Sequence, residues 1–185
     1  MAVPISKLQR KACTYGDYLT LDDETRYEII EGELTVVPAP STEHQDISRN
    51  LEFILWGYVK KNGLGVMYHA PVDLVLDEQN VVQPDIVFIS NKNRAIIQKQ
   101  AIKGTPDLLI EILSPSSAKR DRCFKKALYE KFKVEEYWLV DPKHKRIEVF
   151  LLQKDQYTPY LSASGKGTIR SNVIQGLEIS LSEVF

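Results

Sequence analysis

The sequence is poor in cysteine, contains no long apolar run and carries no strong excess of charge. Two cysteines among 185 residues, Cys13 and Cys123, supply neither a disulfide framework nor a cysteine metal site. No apolar run approaches the roughly 18 residues of a transmembrane helix, and charged residues interrupt any N-terminal signal pattern. These absences favour a cytoplasmic protein without a membrane partner. The net charge of −1 gives no global electrostatic argument for nucleic-acid binding.

Several common catalytic signatures are absent as well. The chain has no glycine-rich phosphate loop, no Ser-His-Asp signature and no His/Cys metal set. Its composition, 43% hydrophobic and 26% charged, is that of a globular protein with enough chain for a core. We therefore expect a single domain over residues 1–185.

Apolar segments alternate with turn-forming segments in an order that mixes hairpins and helices. The predicted elements are a hairpin over 27–38, a helix from Ser41 or Thr42 to about Lys61, a second hairpin over 65–77 and 81–90, a buried strand over 108–113, and strands over 135–142, 146–152 and 157–163. The polar segment 164–172 is expected to be mobile. This order predicts a mixed sheet flanked by helices, an α/β or α+β fold.

Three carboxylates occupy unusual positions in the predicted strands. Residues 108–113 are apolar at every position except Glu111, and a lone buried carboxylate costs several kcal/mol unless it is protonated, paired or bound to a cation. Asp73 and Asp85 likewise interrupt apolar segments. Pro84, next to Asp85, indicates a strand start, an edge or a bulge, and bulges are frequent beside active sites.

The segment after the buried strand predicts a helix that begins within Ser114–Ser117 and ends near Lys133. On a wheel of about 100° per residue, Asp121 and Lys125 share one face with apolar side chains, while Lys126 lies among the solvated charges. The apolar members of that face are Phe124, Leu128, Tyr129 and Phe132. A structural Asp–Lys ion pair explains the four-residue spacing, and a lysine directed into a site also explains its place on the apolar face.

His44 lies on the apolar stripe of the predicted helix from Ser41 or Thr42 to Lys61, one turn before Ile47. A single inward histidine is commonly a core or capping residue, and a role in an active site is the alternative.

Asp85, Glu111 and Lys125 are the candidate chemical groups. Two carboxylates with few other partners suit Mg²⁺, which keeps several waters and binds through one or two carboxylates together with substrate phosphate. Such an ion lowers the pKa of bound water and stabilises the charge that builds on a phosphodiester under attack. A nearby ammonium can orient the water or stabilise the developing anion.

These motifs, taken in order, resemble the PD-(D/E)xK nuclease superfamily and, within it, a family of restriction-endonuclease domains long classed as a domain of unknown function. The segments that carry the resemblance are Tyr27–Gly32, Pro40 with His44 and Asn50-Leu51, Gln83-Pro84-Asp85, Pro106-Asp107 through Glu111 to Ser116, the series Asp121, Lys125 and Tyr129, and Glu136–Pro142. They cover a core at about 15–152 and leave 153–185 as C-terminal strands and a tail.

The resemblance implies a restriction-endonuclease-like fold and metal-dependent hydrolysis of DNA. It implies Asp85, Glu111 and the backbone carbonyl of Ile112 as ligands of Mg²⁺, which Mn²⁺ can replace. Lys125 would be the catalytic lysine, and the auxiliary residues would be His44, Asp73, Asp121 and Tyr129.

One position departs from the superfamily pattern. The lysine of (D/E)xK should stand two residues after Glu111, where this chain has Leu113, so Lys125 is the expected replacement. Pro106-Asp107 is a rival to Pro84-Asp85, but Asp107 lies about 13 Å from Glu111 along the same strand and is the weaker candidate.

Two other interpretations compete with the nuclease. The near-neutral charge is compatible with a catalytically weak or inactive module that binds nucleic acid or a protein partner. Hydrolysis of a small phosphorylated substrate has the least support, because nothing resembles a nucleotide pocket. An enzyme that cuts both strands of a duplex usually needs two active sites, so we expect a homodimer.

Overall fold

The structure of the protein is a computed structural model that describes residues 12–22, 25–115, 118 and 120–185. In chain order its elements are α1 (Tyr15–Tyr18), β1 (Tyr27–Ile30), β2 (Glu33–Val36), α2 (Thr42–Asn62), β3 (Gly65–His69), β4 (Leu74–Asp77), β5 (Asn80–Val82), β6 (Ile86–Ser90), a 3₁₀ helix (Asn91–Ile96), β7 (Ile102–Lys103), β8 (Leu108–Ile112), a π-helix (Arg120–Lys125), α3 (Lys126–Lys131), β9 (Glu136–Asp141), β10 (Arg146–Gln153), β11 (Gln156–Ser164), β12 (Thr168–Arg170), β13 (Glu178–Ser180) and a 3₁₀ helix (Leu181–Glu183). The mixed sheets and flanking helices confirm the predicted fold class.

Two compact units make up the described chain. The first contains residues 12–39, 71–83 and 96–104, and the second contains residues 40–70, 84–95 and 105–185. The first unit is built on a five-stranded sheet in the order β2-β1-β5-β4-β7. Its core consists of Cys13, Tyr15, Ile29, Val75, Val81 and Ala101.

The second unit is built on a six-stranded sheet in the order β11-β10-β9-β8-β6-β3, in which only β8 and β9 run parallel. Ile110 and Ile112 of β8 belong to a core that also contains four residues of α2. Those four are Ile47, Leu51, Leu55 and Val59. Because successive strand residues point to opposite faces, Glu111 faces away from α2.

Helix α2 agrees with its prediction at both ends. The Ser41 hydroxyl accepts a hydrogen bond from the His44 backbone N–H at 3.2 Å, which satisfies one of the free donors of the first turn. Gly63 ends the helix in the left-handed conformation, with φ of +61°, where glycine has no Cβ penalty.

The two arms of the predicted second hairpin pair with each other, and each arm is broken into two strands that belong to different sheets. Residues 65–77 form β3 and β4, and residues 81–90 form β5 and β6; β4 and β5 make the hairpin, whereas β3 pairs with β6 in the other sheet. Pro71 and Pro84 lie in the two breaks, and proline removes a ladder donor and restricts the preceding residue. Since β6 begins at Ile86, Pro84 stands just before a strand start, one of the three expected possibilities.

The helix predicted after β8 also differs from expectation. Its first described part is a π-helix, in which i→i+5 hydrogen bonds widen the turn and a 100° wheel no longer holds. Phe124 was predicted on the apolar face and is 57% exposed, whereas Asp121 and Lys125 are buried as predicted. The expected capping residues Ser116 and Ser117 lie outside the described residues.

Two smaller findings concern the C-terminal segments and the helices. The segment 164–172, expected to be mobile, contains β12, which pairs with β13. Within the described chain, no helix is both long enough and apolar enough to cross a lipid bilayer.

Candidate active site

Asp85 and Glu111 lie at the same end of the β6–β8 ladder. Ile86 pairs with Ile110, and Asp85 and Glu111 are each the next residue beyond that pair. The Asp85 carboxylate engages two groups: Oδ2 accepts the Ile112 N–H at 2.7 Å, and Oδ1 lies 3.0 Å from His44 Nε2. The Asp85 side chain is therefore held against the peptide that follows Glu111.

Glu111 is buried against the helical segment that follows its strand. Its Oε1 accepts hydrogen bonds from Lys125 Nζ at 3.0 Å and from the Tyr129 hydroxyl at 2.6 Å. The Glu111 and Lys125 side chains are each 4% exposed. The lysine thus supplies the counter-charge that a carboxylate in an apolar strand requires.

Asp121 is the second carboxylate beside the lysine. Lys125 Nζ lies 3.8 Å from Asp121 Oδ1, and the Asp121 side chain is 2% exposed. The Tyr137 hydroxyl donates to the Asp121 backbone carbonyl at 3.1 Å, and its ring packs edge-on against Tyr129. The π-helix, a form frequent at functional sites, thus places both Asp121 and Lys125 on the Glu111 side.

The charges of this cluster affect the pKa of the Tyr137 hydroxyl. Burial raises the pKa of the Tyr137 hydroxyl well above 10, and the negative charges of Glu111, Asp121 and Asp85 raise it further, together with Tyr157. The phenol is therefore neutral and acts only as a hydrogen-bond donor and packing group.

His44 lies in the first turn of α2 and contacts the site through one ring nitrogen. Its Nε2 bonds to Asp85, its side chain is 12% exposed, and its Nδ1 is buried without a hydrogen-bond partner among the described residues. The predicted inward placement is observed, and the contact is to a candidate ligand rather than to the apolar core.

Asp73, the fourth predicted auxiliary residue, belongs to the first unit. Its Oδ1 accepts hydrogen bonds from the Tyr18 hydroxyl at 3.2 Å and from Gln83 Nε2 at 2.9 Å. Burial, and then the Asp73 carboxylate, raise the pKa of Tyr18 to about 12. Within that unit Asp73 is the acceptor of a small polar network.

The rival carboxylate, Asp107, has a different set of partners. Its two oxygens accept the N–H of Ser90 at 2.7 Å and the Ser90 hydroxyl at 2.9 Å. These bonds fix the turn after β6 and account for the Pro106-Asp107 dipeptide as a structural feature.

A polar network that the sequence interpretation missed lies beside the site. The Arg122 guanidinium donates to Asp141 Oδ2 and to Glu148 Oε2, both at 2.8 Å, and His144 Nδ1 lies 2.9 Å from Asp141 Oδ2. Burial opposes ionisation of Asp141, but the hydrogen bonds and charge of His144, with the charge of Arg122, outweigh it and lower the Asp141 pKa. Asp141 ends a strand that runs parallel to β8, a relationship that the sequence does not show.

No group of three or more His, Cys, Asp or Glu side chains able to hold a metal ion exists within residues 12–22, 25–115, 118 and 120–185. Any metal at Asp85 and Glu111 would need backbone or solvent oxygens to complete its shell.

The mixed six-stranded sheet and the helices that flank it define an α/β protein with a buried carboxylate–lysine cluster. The fold resembles the crystal structure of "a putative nuclease belonging to DUF820" from Anabaena variabilis, with a TM-score of 0.75 and 20% sequence identity over 93% of this chain and 97% of that chain. Residues 15–182 match the Uma2 family, described as "Putative restriction endonuclease", and the chain belongs to that family. The uncharacterized protein sll1609 of Synechocystis sp. is 24% identical over 141 residues, which cover 75% of this chain and 80% of that protein. The family expected from the sequence motifs is confirmed.

Proposed function

We propose that the protein is a divalent-metal-dependent endonuclease that hydrolyses phosphodiester bonds of DNA. Its family supports the nuclease class. The observation that carries the proposal is the hydrogen bond from the Ile112 N–H to Asp85 Oδ2, which holds one carboxylate beside the Glu111–Ile112 peptide. Asp85, just before β6, and Glu111, in β8, are thus both available at one end of the β6–β8 ladder.

The donor set at this position fits a hard divalent cation. In an extended strand the N–H and C=O of one residue point to the same side, so the Ile112 carbonyl lies on the side of Asp85. Carboxylate and carbonyl oxygens are the ligands that Mg²⁺ and Mn²⁺ prefer, and Mg²⁺ usually keeps several waters besides. A bound ion would supply a water of lowered pKa and would neutralise charge on the phosphodiester.

Lys125 is the proposed catalytic lysine. Its ammonium lies 3.0 Å from Glu111 Oε1 and is buried, so its charge acts in a region of low effective dielectric. A fixed positive charge there can stabilise the anion that develops on the phosphate during hydrolysis.

Three other side chains are assigned as positioning residues. His44 orients Asp85 through Oδ1, and Tyr129 orients Glu111 through Oε1. Asp121 helps to hold the Lys125 ammonium, which lies 3.8 Å from Asp121 Oδ1. Asp73 remains a proposed auxiliary residue, and its contacts are with Tyr18 and Gln83 of the first unit. Cleavage of both strands of a duplex by this one site per chain would require a homodimer.

One observation favours a second candidate, a nuclease-fold module that binds nucleic acid without cleaving it. Both oxygens of Asp85 and Oε1 of Glu111 already accept hydrogen bonds from protein groups. A metal ion would have to compete with these donors for the same lone pairs.

A cleavage assay separates the two candidates. Supercoiled plasmid, linear duplex and single-stranded DNA are incubated with the wild-type protein and with Glu111→Gln, each with Mg²⁺, Mn²⁺ or EDTA. The nuclease predicts metal-dependent cleavage by the wild type alone. DNA binding by both proteins with no cleavage under any condition would establish the binding module instead.

A further inference from the structure

A cavity of about 640 Å³ opens in the second unit beside the carboxylate site. It lies at the carboxyl ends of the parallel strands β8 and β9, the position where α/β sheets characteristically bind ligands. Its lining residues are Ser41, Glu43, His44, Leu113, Ser114, Pro115, Ala118, Arg122, Asp141, Pro142, Lys143 and His144. The volume falls in the range of small-ligand sites.

The wall of this cavity combines an apolar surface with cationic side chains and with two carboxylates, Glu43 and Asp141. Leu113, Pro115, Ala118 and Pro142 supply the apolar part. Lys143, in the turn between β9 and β10, is exposed, and Arg122 is fixed in the wall by its bonds to Asp141 and Glu148. Such a combination suits a flat, weakly polar ring system that carries an anionic group.

Two residues join the cavity to the proposed catalytic site. His44 lines the cavity and bonds to Asp85 Oδ1. Leu113 also lines the cavity. It lies two residues beyond Glu111, and this separation is about 6.6 Å along the strand. Leu113 also occupies the position of the superfamily lysine, so the transfer of that lysine to position 125 leaves an apolar wall where a charge would stand.

We propose that this cavity binds one unpaired nucleotide of the cleaved DNA strand, next to the phosphodiester at Asp85 and Glu111. The base packs against Leu113, Ala118 and Pro142, and the Lys143 ammonium pairs with its phosphate. A base inside a duplex enters a concave site only after it is unpaired and unstacked, which costs a few kcal/mol, whereas an unpaired base can turn out of the stack at lower cost. The preferred substrate is therefore single-stranded DNA or a duplex with an unpaired position. The inference rests on the proposed function for the identity of the cleaved strand.

The test uses binding in EDTA, so that no cleavage is needed. DNA duplexes carry 2-aminopurine either fully paired or opposite a gap, and emission is followed as protein is added. Ala118→Trp fills the cavity, and Ala127→Trp, on the exposed side of α3, is the matched control. We expect the wild type and Ala127→Trp to bind the unpaired duplex and to raise its 2-aminopurine emission. Ala118→Trp should bind this duplex about tenfold more weakly and should leave the emission unchanged.

A second pair of variants keeps the test valid if Ala118→Trp does not fold. Lys143→Ala should weaken binding of the unpaired duplex, and Lys154→Ala, an exposed turn lysine at the other end of β10, should not. The inference would be overturned if the wild type bound paired and unpaired DNA equally or bound no DNA. It would also be overturned if Ala118→Trp bound the unpaired duplex as tightly as Ala127→Trp, or if Lys143→Ala bound it as tightly as Lys154→Ala. If the expected binding is seen but no metal supports cleavage, the inference stands and the proposed nuclease activity fails.

Discussion

Lys125 Nζ lies 3.0 Å from Glu111 Oε1, with both side chains 4% exposed. The same ammonium lies 3.8 Å from Asp121 Oδ1, so one lysine serves two buried carboxylates. Breaking a buried ion pair by removal of one partner leaves an uncompensated charge, which costs far more than the loss of a surface pair. The lysine is therefore tied to stability as well as to the proposed chemistry.

Replacement of the two neighbouring lysines should have different effects. Lys125→Ala should reduce metal-dependent cleavage by about 10²–10³-fold, by analogy with removal of one transition-state donor. It should also cost about 3–5 kcal/mol of stability, because Glu111 and Asp121 lose their counter-charge. Lys126→Ala loses a contact in which Nζ lies 3.7 Å from the Phe150 ring centre, worth about 0.5–1 kcal/mol, and should keep its activity.

The comparison of these lysine variants requires equal amounts of folded protein. Circular dichroism gives the folded fraction at the assay temperature, and cleavage rates are divided by it. Equal rates per folded molecule for the two variants would remove Lys125 from the catalytic assignment.

Return of the lysine to its superfamily position should restore part of the activity. In a Lys125→Ala background, Leu113→Lys places an ammonium two residues after Glu111 on the same strand. We expect the double variant to cleave at least about tenfold faster than Lys125→Ala alone, since a fixed charge near the phosphate is worth more than that. Leu113→Ala in the same background is the control, and equal rates for the two double variants would contradict the replacement of one lysine by the other.

His44 should act on metal affinity rather than on the maximal rate. Its Nε2 holds Asp85 Oδ1 at 3.0 Å, and loss of a group that orients a ligand typically weakens metal binding about 10–100-fold. His44→Ala should therefore raise the Mg²⁺ concentration for half-maximal cleavage, and the rate should recover at saturating Mg²⁺. His69→Ala, at a histidine that is 55% exposed, is the control. A lower maximal rate with unchanged Mg²⁺ dependence would assign His44 a direct catalytic role.

Asp141 should contribute to stability in a defined pH range. Burial opposes its ionisation, but His144 and Arg122 together lower its pKa below the ordinary value of 3.8. Because the folded pKa lies below the unfolded one, this contribution is complete above about pH 4 and is lost as the pH falls through the folded pKa. The free energy of unfolding of Asp141→Asn should fall less steeply than that of the wild type below pH 4, in urea titrations at several pH values. Asp155→Asn, at an exposed carboxylate, should keep the wild-type slope; an identical slope for Asp141→Asn would be evidence against this role.

The sequence predicts the parts of the site that depend on local pattern. Glu111 stands alone in an apolar run, and the four-residue step from Asp121 to Lys125 sets both on a buried face. Phe124 is placed wrongly because the pattern assumes an α-helix, and the hydrogen-bond shift that makes a π-helix has no periodicity signal in so short a segment.

Other features depend on contacts between residues far apart in the chain. The bond between Arg122 and Asp141 joins residues 19 positions apart, and neither residue is unusual in its local sequence. The contact of His44 with Asp85 likewise depends on tertiary packing, so the sequence predicts an inward histidine but not its partner. Residues 65–90 divide between two sheets at breaks that contain Pro71 and Pro84, and the sequence pattern does not predict this division.

The most direct test compares two aspartates that each follow a proline in the second unit. Asp85 contacts the Glu111–Ile112 peptide and His44, whereas the Asp107 side chain binds Ser90 and Asn93 among the described residues. Cleavage of supercoiled plasmid in Mg²⁺ is measured for Asp85→Asn and Asp107→Asn at equal folded fraction. We predict that Asp85→Asn loses more than about 100-fold in rate and that Asp107→Asn stays within a few-fold of the wild type. Full activity of Asp85→Asn, or loss of activity only in Asp107→Asn, would contradict the assignment of the site.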